Sequence, residues 1–287
     1  MHYNILTGGG EPLTRGPGRR AANLFVGLDR LGIEWDDCSD NFDRAIALQL
    51  GKVSEHFDAL PEYTPIGPNV IHEARAHLPI AKKFRNFVVQ SQWVADYWKW
   101  CDPELTKDFN FYVYPASVNM ENGFREIAKT RQVSYECLFY TKYQNDDNRG
   151  KAEKLFQNKS DSSRTITYEE YTLDQLKEAC FGARYCIYNS CCEKSSNALM
   201  EILACGVPMY VIDSKRWIGD DKFDKCTSAP HFDDRCGVIS TAKDGAFDEF
   251  RNNVHAGKYS PSEFVEDGYT AEKVAKIVID IIERCHP

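Results

Sequence analysis

Residues 183–213, "ARYCIYNSCCEKSSNALMEILACGVPMYVID", set two short, almost wholly apolar runs on either side of a helix-patterned one. "RYCIYNS" and "MYVI" are too short for buried helices and too evenly apolar for a half-exposed sheet. Between them, "SNALMEILACG" opens on Ser195 or Ser196 as N-cap and carries Ala198, Leu199 and Ile202 on one side. It stops at Gly206, with Pro208 just beyond. Strand, helix and strand with both strands buried make a parallel βαβ unit, and that commits the chain to an α/β sheet covered on both faces.

The rest of the sequence repeats this rhythm. "HYNIL" predicts a first strand, "TGGGEPLTRGPG" a glycine-rich loop, and "RRAANLFVGLDRLG" a helix with Ala21, Leu24, Phe25, Leu28 and Leu31 at helical spacing. Further strands are expected near Ile33 and in "RAIALQL", "GPNVIH", "NFVVQS" and "FNFYVYP". Ser91 is the expected cap of the aromatic helix "QWVADYWKW", whose Trp93, Trp98 and Trp100 read as core. "SVNMENGFREIAKTRQVS" is polar and weakly patterned, so a domain boundary is expected between 117 and 133. The rhythm restarts with "YECLFYT", a helix "AEKLFQ", "RTITYE", a Thr172-capped helix "TLDQLKEACFGA" and the opening segment. "GVIS" is a late strand. "TAEKVAKIVIDIIERC" is an amphipathic helix with Val274, Ile277, Val278, Ile281 and Ile282 on its apolar side. Two α/β series in one chain predict two Rossmann-like domains facing a cleft, over 1–120 and 121–287, with the last helix packing back on the N-terminal domain.

Composition narrows the partners. Of 287 residues, 43% are hydrophobic, enough for a sizeable core, and the net charge is −8, which argues against nucleic acid as the main ligand. Eleven cysteines without a C-x-x-C read as reduced thiols of a cytoplasmic protein, and no His/Cys spacing suits zinc. The start, "MHYNILTGGG", lacks the apolar region of a signal peptide, and no run reaches the roughly 20 apolar residues of a membrane span. Cys191-Cys192 reads as two small residues at a strand end, with redox activity as the alternative.

The opening segment also bears chemistry. A helix N-terminus after a parallel strand presents amides and partial positive charge, which suits a phosphate. Glu193 lies just before that helix and Glu201 inside it, with seven residues between them. Glu193 cannot favour a phosphate, so it should face a hydroxyl-rich neutral group. Carboxylates flanking a diphosphate site suit a ribose at one end and a sugar at the other, so a nucleotide-sugar fits. The plain alternative is two solvated acids on a helix face. Gly8-Gly9-Gly10 lacks a G-x-G-x-x-G, which disfavours a nicotinamide cofactor. Gly9 and Gly10 should still face the cleft from the end of the first strand. His72, ending "NVIH", is a candidate base or sugar contact, or a structural histidine.

The Glu193-to-Glu201 stretch resembles the E-x7-E element of family-4-type glycosyltransferases with the GT-B fold. "ACGVPMYVID" resembles the small-x-Gly-x-Pro-strand continuation of that family. The overall look resembles compact glycosyltransferases of large algal viruses, for which the cytoplasm would be the host's. The resemblance implies that Glu193 touches the donor sugar, that the backbone around Ser195, Ser196, Asn197 and Ala198 holds the diphosphate, and that Glu201 binds ribose. Lys142, with Arg149 or Lys151, stands nearest to the basic pair that neutralises the leaving group without a metal. The sequence departs from the family at Lys194-Ser195-Ser196, where Gly-Phe-Gly is usual. The expectation is therefore a cofactor-independent hexosyl- or pentosyltransferase. It would move a sugar from a nucleotide diphosphate, UDP favoured over GDP, to a hydroxyl of a glycan or glycoprotein. The resemblance implies retention, and inversion stays open. The alternatives are a non-catalytic sugar-nucleotide-binding protein and a GT-B sugar-nucleotide epimerase.

Overall fold

Parallel strands dominate the computed structural model, which describes residues 2–7, 16–37, 42–67, 74–142, 162–213, 215, 217, 222–241 and 246–287. The chain divides into two compact units, Met1–Ser117 with Ala271–Pro287, and Val118–Thr270.

In the first unit, β1 (His2–Leu6) lies between β2 (Glu34–Asp36) and β3 (Ala45–Ala47), both parallel to it. β4 (Asn86–Val89) pairs in parallel with β5 (Asn110–Val113), and Ile66 bridges Ala47 to Phe87. The helix Gly16–Arg30 buries Leu24 and Leu28 over this sheet. The helix Ala271–Cys285 adds Val274, Ala275, Val278, Ile281 and Ile282 to the same core, with Ile277 at its margin. The two helices meet at Gly27, where a β-carbon would overlap the Ala271 carbonyl. Only glycine allows that approach.

The second unit is one five-stranded parallel sheet, in the order β10 (Gly237–Ser240), β9 (Met209–Ile212), β8 (Ala183–Asn189), β6 (Tyr135–Thr141) and β7 (Ser163–Thr167). Strand alternation sends Cys137, Phe139, Tyr185, Ile187, Tyr210 and Ile212 to one face, where Phe247 and Phe250 cover them. The helix Leu173–Gly182 starts with a full capping box between Thr172 and Gln175. The helix Asn197–Ala204 ends in a Schellman motif. Gly206, at φ 74°, donates to the Leu203 carbonyl and Val207 donates to that of Ile202, satisfying carbonyls the helix leaves over.

Several local expectations change. Ser91 stands at the N-cap of Gln92–Cys101, but its side chain makes no cap hydrogen bond. Trp93 and Trp98 are buried, whereas Trp100 is 44% exposed, because the helix is covered on one side only. "RAIALQL" holds a strand only at Ala45–Ala47, and a helix, Leu50–Glu55, begins before the run ends. The weakly patterned stretch after 117 contains a helix, Phe124–Thr130, entered through Gly123 in the left-handed region. The expected strand over 67–72, beyond Gly67, and the helix "AEKLFQ" lie outside the described residues. Among those described, the cysteines are free thiols, no helix is long and apolar enough to cross a membrane, and no cluster of three or more His, Cys, Asp or Glu could hold a metal.

Candidate functional site

The strand order of the second unit creates a crevice. From β6 the chain moves outward to β7, then returns to place β8 on the other side of β6 and continues to β9 and β10. Connections that leave in opposite directions open a gap beyond the carboxyl ends of β6 and β8, where open α/β sheets bind ligands. Thr141 ends β6 and Lys142 follows it; Asn189 ends β8 and Ser190 follows it. The Lys142 amide donates to the Asn189 carbonyl at 2.9 Å, continuing the pairing by one residue.

This pairing brings Lys142 to Glu193. The Lys142 Nζ lies 3.1 Å from Oε1 and 3.1 Å from Oε2 of Glu193. Ser190 Oγ donates to Oε1 at 2.7 Å, and the Tyr188 hydroxyl lies 3.2 Å from the same oxygen. Lys142 Nζ also lies 4.5 Å from the ring centroid of Tyr168, a favourable cation–π geometry. Glu193 is 5% exposed. A carboxylate so far from water is stable only when paired and hydrogen-bonded, and these groups supply both.

Tyr188 ties this carboxylate to the helix that follows. Its hydroxyl is 2.8 Å from Ser196 Oγ, which accepts from the Leu199 amide at 3.2 Å as the N-cap. A phenol has one proton for two oxygens, so the Ser196 hydroxyl donates to Tyr188 whenever Tyr188 donates to Glu193. Burial, and then the Glu193 charge, push the Tyr188 phenol well above its usual range. It therefore stays a neutral donor. The ring stacks on that of Tyr140 from β6, with centroids 4.9 Å apart and planes within 3°.

Ser195 and Asn197 are half-buried, and Ser196 and Ala198 are buried, around this helix start. The amides of Asn197 and Ala198 precede the first intrahelical donor, the Met200 amide that bonds to the Ser196 carbonyl, and this is the arrangement that receives an anion. Glu201, a turn further on, is 2% exposed. Neither acid of the pair lies on a solvated helix face. Of the residues singled out from sequence, Lys142, Glu193, Ser195, Ser196, Asn197, Ala198 and Glu201 belong to one unit. Gly9, Gly10, His72, Arg149 and Lys151 lie outside the described residues. Sequence reasoning missed Tyr188, Ser190 and Tyr168. The signal for the first two was present: polar groups at the carboxyl end of an otherwise buried strand, "YNS".

No family model matches the chain, and no curated protein matches it. Among solved structures it is similar to the GtfA/B complex, at 12% identity and a TM-score of 0.47 over 93% of this chain and 61% of that one. It is similar to sucrose-phosphate synthase from Thermosynechococcus elongatus, at 13% identity and a TM-score of 0.38 over 92% of this chain and 67% of that one. It is also similar to the wall teichoic acid polymerase TagF, at 12% identity and a TM-score of 0.34 over 73% of this chain and 60% of that one. The chain thus spans about three fifths to two thirds of the length of these solved structures.

Proposed function

We propose that this chain is a GT-B-type glycosyltransferase that uses a nucleoside diphosphate sugar, with UDP favoured as the nucleotide. The second unit takes the donor and the first the acceptor, a hydroxyl of a glycan or glycoprotein. The observation that carries the reading is the Lys142–Glu193 pair, set at the switch point of the sheet beside the capped start of the Asn197–Ala204 helix.

The diphosphate lies against the amides of Ser196 to Ala198. The acceptor hydroxyl oxygen bonds to the anomeric carbon and gives its proton to a base, while the bond between the anomeric carbon and the β-phosphate oxygen breaks, with its electrons going to the phosphate. Lys142 and the helix terminus stabilise that charge, aided by Arg149 or Lys151, so the chemistry needs no metal. Glu193 lies beside the sugar, where positive charge develops. Glu201 holds the ribose hydroxyls, and His72 is the candidate base for the acceptor.

A thermal-shift panel of nucleotide sugars identifies the donor, since a ligand at a hundredfold excess over its Kd stabilises by about 2.7 kcal/mol. Glu201→Ala should weaken UDP itself by about 1.5–3 kcal/mol in calorimetry, through loss of a charged hydrogen-bond partner. Glu193→Gln should leave UDP binding intact or slightly stronger, because Lys142 loses its neutralising partner, while turnover falls by about 10²–10³. Unchanged UDP affinity in Glu201→Ala, or wild-type transfer in Glu193→Gln, overturns these roles. Tight binding of donor with no release of diphosphate identifies a binding protein instead.

A further inference from the structure

Asp213 follows β9 and is not among the residues that the reaction above uses. Its amide donates to the Ser240 carbonyl at 2.8 Å, so the backbone is still held beside β10. Its carboxylate is buried, at 5% exposure, and faces the 227–229 turn. Oδ1 accepts the Ser228 amide at 2.8 Å, and Oδ2 accepts the Thr227 hydroxyl at 3.1 Å. Thr227 Oγ1 in turn accepts the Ala229 amide at 3.2 Å. One carboxylate thus fixes both the backbone and a side chain of this turn.

The turn then grips the segment that carries the site. Ser228 Oγ donates to the Ser190 carbonyl at 2.6 Å, and the Glu193 amide donates to the Thr227 carbonyl at 2.8 Å. Residues 190 and 193 are therefore held at both ends of the four-residue step that leaves β8. Cys192, inside that step, sits at φ 21°, a conformation that costs energy and persists only when its surroundings enforce it. Ser190 and Glu193 are also the residues whose side chains meet at 2.7 Å.

We infer that Asp213 is a positioning residue: through the Thr227–Ser228 turn it holds the 190–193 segment, and so the Glu193 carboxylate, against Lys142. This inference rests on the donor-site reading for its catalytic consequence, but not for its structural one. Asparagine is the informative conservative replacement. Its oxygen still accepts the Ser228 amide, and its NH2 donates to Thr227 Oγ1, so the turn keeps both contacts with one reversed.

The structural arm uses thiol labelling by N-ethylmaleimide, read by peptide mass spectrometry. Cys191 and Cys192 are buried and lie within the clamped 190–193 segment, while Cys137, Cys186 and Cys205 are buried elsewhere and serve as internal controls. Asp213→Ala should speed labelling of the 191–192 peptide by about tenfold or more, the shift in local opening expected on losing a buried hydrogen-bonded group. The controls should not change, and Asp213→Asn should restore most of the protection. Should Asp213→Ala fail to fold, Ser228→Ala removes only the bond to the Ser190 carbonyl and should expose the same peptide. Unchanged labelling at 191–192, or an equal rise at the control cysteines, refutes the inference.

The catalytic arm follows UDP release from UDP-glucose. Asp213→Ala should lower turnover in the wild-type background and change it by less than about threefold in the Glu193→Gln background, because residues acting through one another are not additive. Full additivity refutes the positioning role. A wild-type protein that neither binds UDP nor cleaves UDP-glucose refutes the donor reading, and the labelling arm still decides the role of Asp213.

Discussion

Lys142→Met isolates the ion pair at the head of the second unit. At 3.1 Å, and with an effective dielectric of about 20, the gross attraction between the charges is about 5 kcal/mol. Part of that offsets the desolvation of two groups whose side chains are 14% and 6% exposed. What the variant measures is the cost of leaving the Glu193 carboxylate buried without its cation, typically about 3–5 kcal/mol. Ser190 and Tyr188 still donate to it, so the lower end, about 3 kcal/mol, applies. For a protein or domain of about 150–250 residues that corresponds to a Tm drop of about 6–12 °C. The double variant Lys142→Met/Glu193→Gln removes both charges and should recover most of the loss, since the amide oxygen still accepts from Ser190. UDP binding should not recover, because the cation is gone in both. Differential scanning calorimetry and isothermal titration on the two variants read stability and binding separately. A single variant as stable as wild type, or a double variant less stable than the single, would show that the two side chains do not form a buried, mutually dependent pair.

Three predictions concern the first unit. Gly27→Ala should destabilise it by about 1–3 kcal/mol, since the added methyl overlaps the Ala271 carbonyl and forces apart the helices Gly16–Arg30 and Ala271–Cys285. Gly51→Ala, where an added methyl meets nothing within 4 Å, should stabilise by up to about 1 kcal/mol in urea melts. The Glu283 carboxyl is held below the usual range by its hydrogen bond from Arg44 and then by that from Tyr3. Its contribution is complete above the unfolded-state value of about 4.3 and is lost as pH falls through the lower folded value. Denaturation between about pH 3 and pH 6 should therefore show a shallower acid limb in Glu283→Gln than in wild type.

Much of the second unit is written locally. The runs "YECLFYT" and "RYCIYN" are the strands β6 and β8, because a strand buried on both faces needs an unbroken apolar run, and nothing distant has to be known to see one. Thr172 with Gln175, and Ser196 with the Gly206 stop, announce their helices because caps satisfy backbone groups within a few residues. Ser91 and Trp100 show the limit of such signals. A serine before a helix need not bond to it, and a tryptophan at helical spacing need not face the core, since neighbours decide both.

The acid before the Asn197–Ala204 helix and Lys142 were each visible as candidates, but their pairing was not. Lys142 and Glu193 are 51 residues apart, and they meet because β8 lies beside β6 instead of beyond β7. Periodicity reports which face of an element is buried; it carries no information about which strand lies next to which. Asp213 is the sharper case. In the sequence it is one polar residue after "MYVI"; in the fold it binds a turn that begins fourteen residues later and, through that turn, the segment bearing Glu193. Local pattern settles what each segment becomes, because backbone hydrogen bonds and caps close over a few residues. The order of the strands and the pairing of buried charges depend on how those segments share one core, and that is a property of the whole chain.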